Sequence, residues 1–272
     1  MHWQDEAIIL SVRKHGEHQA RVALFTRQHG IYASIARGAY SKKNRGIWQP
    51  GNIVTVNWNA RLAEHMGTVS AEMQEPITAF ILDDAAKLAA LSSAATLMEM
   101  ILPERHPYPV LYPKFKYLLM ILKEGRPAGR PSPEPASCDL QQKITEANNN
   151  WQEDYVRFEL ALLSESGFGL DLSACAATGQ KDDLTYVSPK SGRAVCTDAG
   201  EPYKDKLLPL PQFLLDTPSL TLSPLGGRNS KETLAGLRLS GYFLEHWLAG
   251  PHGKQLPASR QRLLEMIEKT HG

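Results

Sequence analysis

The residues best suited to chemistry in this chain are cations. From His18 to Ala63 there is no Asp or Glu, yet the stretch carries Arg21, Arg27, Arg37, Lys42, Lys43, Arg45 and Arg61. The whole chain is close to neutral, with a formal net charge of +1. The positive potential is therefore local, as a surface that tracks phosphates requires. Lys42, Lys43 and Arg45 crowd one short loop just after Arg37, and Arg21 and Arg61 extend the set. Such cations neutralise phosphates and release counterions, which gives salt-dependent binding with little sequence selectivity. Tyr40 and Trp48 flank the loop and are candidates for stacking on bases, although Trp48, just ahead of Pro50-Gly51, fits core packing equally well. The competing reading is a solvated surface compensated by acids from elsewhere in the chain.

Bond-making chemistry finds no comparable constellation. There is no Gly-x-x-x-x-Gly-Lys phosphate loop, no His-Glu-x-x-His and no Gly-x-Ser-x-Gly elbow. Gly226-Gly227 and Gly167-x-Gly169 lack the strand–glycine–helix setting of a nucleotide site. The histidines are dispersed without metal-ligand spacing, and Asp182-Asp183 sits in a polar turn where solvation accounts for it. No residue is assigned a catalytic role, and the chain reads as a binding protein and not an enzyme.

The elements that must position the cations come first along the chain. Ala7–Val12, Arg21–Phe25, Ile31–Ala36, Ile53–Trp58 and Gly67–Met73 read as five short strands separated by turns bearing Gly or charge. In the fourth, Val54, Val56 and Trp58 share one face, with Thr55 and Asn57 on the other. In the third, Ile31, Ala33 and Ile35 alternate against Tyr32 and Ser34. Five strands of this length close into a small barrel more readily than they lie as an open sheet with bare edges. An OB-fold and an SH3-like barrel both satisfy the pattern.

At Pro76 the period becomes helical. Asp83 is a plausible N-cap for a helix carrying Leu88, Leu91, Ala95, Met98 and Leu102. Pro103, Pro107, Pro109 and Pro113 end it, and a second helix follows from about Lys114 to Lys123. Residues from about 125 to 150 are polar and proline-rich, with too little apolar area to offset ordering, and read as a mobile loop containing a free thiol, Cys138. A third helix spans about Trp151 to Ser166. Leu184–Pro189 and Arg193–Cys196 form a small hairpin around Ser191-Gly192, and two last helices span about Lys231–Leu248 and Ser259–Thr270. The fold class is α+β. The expected domains are a barrel over 1–79, a helical domain over 80–171 and 207–272, and a hairpin module over 172–206.

No run approaches the roughly 20 apolar residues that span a bilayer. The start MHWQDEAIIL lacks a cationic leader pattern, and three scattered cysteines make no disulfide framework. Cytoplasm is the expected compartment.

Several stretches resemble one family in the same order. They are Leu24-Phe25-Thr26-Arg27-Gln28-His29-Gly30, then Ala36-Arg37-Gly38-Ala39 and Ser41-Lys42-Lys43. Further on come Arg157-Phe158-Glu159-Leu160-Ala161-Leu162-Leu163 running into Gly167-Phe168 and Cys175, and the ending Gly253-Lys254-Gln255-Leu256-Pro257-Ala258-Ser259-Arg260. Together they resemble the RecO family of bacterial recombination mediators. The resemblance implies an N-terminal OB-fold, binding of single- and double-stranded DNA, and annealing of complementary strands. It further implies partnership with RecR, binding to the acidic C-terminal tail of single-stranded DNA-binding protein, and help in loading the RecA recombinase. It places Arg157 as a candidate for gripping that tail, with Tyr112 and Phe115 as candidate walls for its aromatic end, against the alternatives of an intrahelical pair with Glu153 or a contact with Glu159. It also implies a four-cysteine zinc module around the hairpin, and there this chain departs. The two Cys-x-x-Cys positions read Cys175-Ala176-Ala177-Thr178 and Cys196-Thr197-Asp198-Ala199, so two thiols remain of four and no zinc is expected. Two other classes fit the charge pattern: an RNA-binding OB-fold protein, and an adaptor whose basic barrel docks an acidic protein.

Overall fold

The computed structural model describes residues 1–62, 64–124, 151–215 and 230–271. Contacts group the chain into two compact units. One comprises Met1–Ala128 with Pro257–Arg260, the other Gly129–Leu256 with Gln261–Gly272.

The first unit is built on β1 (His2–His15), β2 (Gln19–Thr26), β3 (Gly30–Arg37), β4 (Ile53–Asn59) and β5 (Thr68–Glu75). They close into a barrel in the order β1-β2-β3-β5-β4. Two antiparallel hairpins join β1, β2 and β3, and β1 also pairs antiparallel with β4. A short parallel contact, Ile35 with Thr68 and Ala36 with Val69, completes the ring. That order and closure are those of an OB-fold and remove the SH3-like alternative. Ala7, Ile9, Val22, Leu24, Val54, Val56 and Trp58 fill the interior, joined by Ala39 and Trp48 from the β3–β4 connection. The fourth strand thus points inward the residues its alternation predicts.

β3 departs from simple alternation, because Ile31, Tyr32, Ala33 and Ser34 are all buried. The segment after the second helix pairs with the edge of this strand at its first residues. The Arg105 N–H donates to the Ile31 carbonyl at 2.7 Å, and Ile31 bridges Glu104. Gly30 makes the approach sterically feasible. Its φ is +69°, and a Cβ there would lie 1.7 Å from the His106 carbonyl oxygen.

Helices α1 (Ile77–Ile81), α2 (Ala85–Ile101) and α3 (Leu111–Glu124) share the first unit with the barrel. The sequence-based division near residue 80 separates them from it. The Phe25 ring packs 5.3 Å from Tyr112 and 6.3 Å from Phe115, and Lys116 reaches Glu6 at 2.8 Å. The N-cap of α2 is Asp84, not Asp83, its carboxylate accepting from the N–H groups of Ala86 and Lys87 at 3.1 Å. Pro113 lies in the first turn of α3 and does not precede it. The amide it lacks there would have had no intrahelical partner.

In the second unit, α4 (Trp151–Glu165) packs against α6 (Ser230–Phe243). The buried Glu159 carboxylate accepts from the Ser240 hydroxyl at 2.6 Å. Between them in sequence, β6 (Leu184–Val187), β7 (Ala194–Cys196) and β8 (Leu208–Pro209) form a sheet in the order β7-β6-β8, and α5 (Thr197–Gly200) is a single turn. The predicted hairpin is thus present with a third strand added. After α6 the chain widens into a π-helical turn over Leu244–Ala249, then α7 runs Ala258–His271. The polar stretch 125–150 and Cys138 lie outside the described residues.

Candidate nucleic-acid interface

Hairpin register gathers most of the predicted cations. Arg21, near the start of β2, sits opposite Arg13 of β1. Arg37, the last residue of β3, sits opposite Gln19, two residues from Arg21 on the same face of β2. The chain then turns sharply. Gly38 donates to the His18 carbonyl at 2.8 Å, and the Ser41 amide and the Asn44 side-chain amide both return to the Gly38 carbonyl, at 3.1 and 3.2 Å. The turn that holds Lys42, Lys43 and Arg45 therefore folds back beside the β1–β2 turn. Arg21, Arg37, Lys42, Lys43 and Arg45 share one end of the barrel, while Arg61 is carried by the β4–β5 connection.

All six side chains are exposed, and none takes part in an ion pair among the described residues. The sequence misses one member of the array. Arg13 lies upstream of the acid-free window, and only the β1–β2 register reveals it as Arg21's neighbour. Its guanidinium is largely exposed and lies 3.4 Å from Glu99, a surface pair of small worth. A cavity of about 70 Å³ opens beside it, lined by Ser11, Ala23 and Ala33 together with Arg13, Arg21, Glu99 and Glu104.

The two aromatic candidates separate. Tyr40 is 46% exposed, whereas Trp48 is 5% exposed and belongs to the barrel core. The backbone explains Trp48: its N–H donates to the Asn44 carbonyl, and Gly51 and Asn52 then tie the segment to Ile9 of β1.

The residues considered for an acidic tail are not gathered within one unit. Tyr112 and Phe115 lie in the core of the first unit, 3% and 0% exposed. The Tyr112 hydroxyl donates to Glu6 at 3.1 Å, and burial, then the Glu6 charge and this hydrogen bond, push its ionisation well above the usual range. As placed, the Phe115 ring presents no surface to a ligand. Arg157, in the second unit, lies 3.7 Å from Glu153 and 3.2 Å from Asp154, donates to the Phe213 carbonyl at 2.9 Å, and stands over the Phe213 ring at 5.2 Å. The intrahelical pairing with Glu153 is thus present. Phe213 is the aromatic neighbour that sequence spacing could not supply, since it is 56 residues away.

The hairpin module brings three of its four marked positions together. Cys175 and Cys196 are buried free thiols. The Cys196 N–H donates to the Cys175 sulfur at 3.3 Å, and the Thr178 hydroxyl lies 3.7 Å from the Cys196 sulfur. Ala199 lies on the single turn that Cys196 begins. Burial acts to raise the Cys175 thiol. Hydrogen bonds from the Thr178 hydroxyl and from the backbone N–H groups of Cys196, Thr178 and Ala177 outweigh it and lower the thiol to about 6. As a zinc site the donor set falls short. It offers two sulfurs, one neutral hydroxyl and a methyl, and the described residues contain no group of three His, Cys, Asp or Glu side chains placed to hold a metal ion, Asp198 included.

Comparison with known proteins accounts for the pairing of an OB barrel with this second unit. Residues 1–77 match the family model for the N-terminal part of recombination protein O, and residues 140–256 match the model for its C-terminal part. The chain belongs to the RecO family. The DNA repair protein RecO of Rhodospirillum centenum is 41% identical over 273 residues, covering 100% of this chain and 96% of that protein. The RecO protein of Rhodospirillum rubrum is 41% identical over 267 residues, covering 98% and 96%. That of Caulobacter vibrioides NA1000 is 39% identical over 270 residues, covering 99% of each. Membership of the RecO family gives the chain a role in DNA repair and recombination. Among the described residues no helix is long and apolar enough to cross a membrane.

Proposed function

We propose that this RecO-family chain is a non-catalytic recombination mediator of the cytoplasm. It binds single- and double-stranded DNA, anneals complementary strands and helps to load a RecA recombinase at gaps and breaks. The observation that carries the reading is the set of exposed cations at one end of the barrel, free of ion pairs among the described residues. Annealing requires no bond chemistry. It requires two polyanions held close while their repulsion is neutralised, and Arg21, Arg37, Lys42, Lys43 and Arg45 suit that task, with Arg61 extending the surface. Tyr40 supplies an exposed ring for base stacking.

Two protein partners complete the reading: RecR, and the acidic C-terminal tail of single-stranded DNA-binding protein. Arg157 remains the candidate cation for the tail, its guanidinium held over the buried Phe213 ring. Tyr112 and Phe115 are better explained as core of the first unit.

The direct test mixes two complementary labelled strands with and without the protein and follows duplex formation, in parallel with strands of the same sequence in RNA. Faster duplex formation with DNA, and weaker competition by RNA, is the expected result. Equal or stronger action on RNA would favour an RNA-binding protein. Failure to bind either polymer would favour an adaptor that docks an acidic protein partner.

A further inference from the structure

We propose that the hairpin module of the second unit has replaced a tetrahedral metal centre by a hydrogen-bonded two-sulfur core. In this core the Thr178 hydroxyl stands where a third ligand would, the module keeps its shape without a metal ion, and cysteine at both 178 and 199 turns it into a zinc site.

The geometry around the sulfurs carries the proposal. Each marked pair is separated by three positions on a tight turn, which points both side chains of the pair toward one spot. In the first turn, Gly179 donates to the Cys175 carbonyl at 2.9 Å, and its φ of +76° lets the chain reverse. In the second, Cys196 opens the single helical turn Thr197–Gly200, which carries Ala199. The two turns face one another across short contacts. Thr178 of the first reaches the sulfur of the second, and the amide of Cys196 reaches the sulfur of Cys175. Three corners of a four-ligand arrangement are therefore close together, and at the fourth a methyl group offers no lone pair.

The connections that hold the two turns do not pass through a metal. The Cys175 amide donates to the Gln180 carbonyl at 2.7 Å, Ala176 to Ala194 at 2.8 Å, and Thr197 to Asp183 at 3.1 Å. The Thr185 and Thr197 hydroxyls meet at 2.5 Å. Leu184, Val187 and Ala194 are buried alongside. A structural zinc site derives its folding energy from the bound ion and loses its fold to chelators. Here the same two loops are joined by backbone and hydroxyl hydrogen bonds, so chelators have nothing essential to remove.

The test uses the full chain and the double variant Thr178→Cys with Ala199→Cys. Both are dialysed against a chelator, then titrated with Co²⁺ as a spectroscopic probe and with Zn²⁺ against a chromophoric chelator. Amide hydrogen exchange at Ala176 and Cys196 is followed before and after dialysis. The expected result is no stoichiometric metal uptake by the unaltered chain, exchange rates indifferent to the chelator, and one equivalent bound by the double variant with the visible spectrum of tetrahedral cobalt thiolate. An unaltered chain that binds one equivalent, and loses amide protection when stripped, would overturn the proposal. So would a folded double variant that shows no thiolate–cobalt bands. Single variants decide the hydroxyl's part even where the double variant fails to fold. Thr178→Ser should retain protection at Cys196, while Thr178→Val should lose it by roughly fivefold, the worth of one ordinary hydrogen bond. Equal protection in the two would remove Thr178 from the role given to it.

Discussion

Trp48 and Tyr40 stand eight positions apart and make opposite predictions. Trp48 is packed in the barrel core, so Trp48→Ala should destabilise the first unit by about 3–5 kcal/mol in a denaturant titration. Tyr40→Ala should leave stability within about 0.5 kcal/mol, since its ring is half in solvent. If Tyr40 stacks on a base, the same change should weaken single-strand binding by about 1–3 kcal/mol, measured by anisotropy. Sequence could not separate these two aromatics, because burial depends on how residues 38–52 fold back on β1. Cys175 gives a prediction in pH. Its folded value, about 6, lies below its usual 9.0, so the thiolate stabilises the fold fully above the higher value and that stabilisation is lost as pH falls through about 6. The unfolding midpoint of the second unit should drop across that window, and Cys175→Ser should flatten the dependence. For Arg157, Arg157→Glu should abolish calorimetric binding of an acidic peptide ending in an aromatic residue. Unchanged affinity in a folded variant would leave Arg157 as a brace for Phe213 alone.

At the scale of elements, existence was easier to read than extent. The alternation of Val54, Val56 and Trp58 announced β4, but β1 runs from His2 to His15, well beyond its apolar centre Ala7–Val12. Polar ends of a strand carry no period that distinguishes them from a turn; pairing with β2 and β4 extends the strand. β3 is buried on both faces, and a segment seventy residues downstream pairs with its edge; no local pattern encodes either. In Asp83-Asp84 two adjacent carboxylates offer the same cap signal, and only backbone geometry chooses Asp84 for α2. Asp84→Ala should accordingly cost about 1 kcal/mol and Asp83→Ala much less, as read by thermal or denaturant unfolding. Gly30→Ala should prevent the 103–106 segment from pairing with β3, with large loss of folded protein, since the added carbon would overlap the His106 carbonyl.

For the whole molecule, the acid-free window is visible in composition alone, and the barrel gathers five of its seven cations at one exposed end. The membership of Arg13 rests on strand register, and Phe213 meets Arg157 from 56 residues away, so neither is legible in local sequence. The central claim is that this end of the barrel holds nucleic acid through phosphates. It is tested most directly by anisotropy of a labelled single strand across a salt series, with the intact chain and with Lys42, Lys43 and Arg45 all changed to Glu. With about five phosphates neutralised, the logarithm of the binding constant should fall against the logarithm of salt with a slope of about −3.5. Loss of three cations should weaken binding at every salt concentration and reduce the slope by roughly 2. A variant with undiminished affinity and slope would contradict the placement of the site. An intact chain that binds no strand at low salt would contradict the account itself.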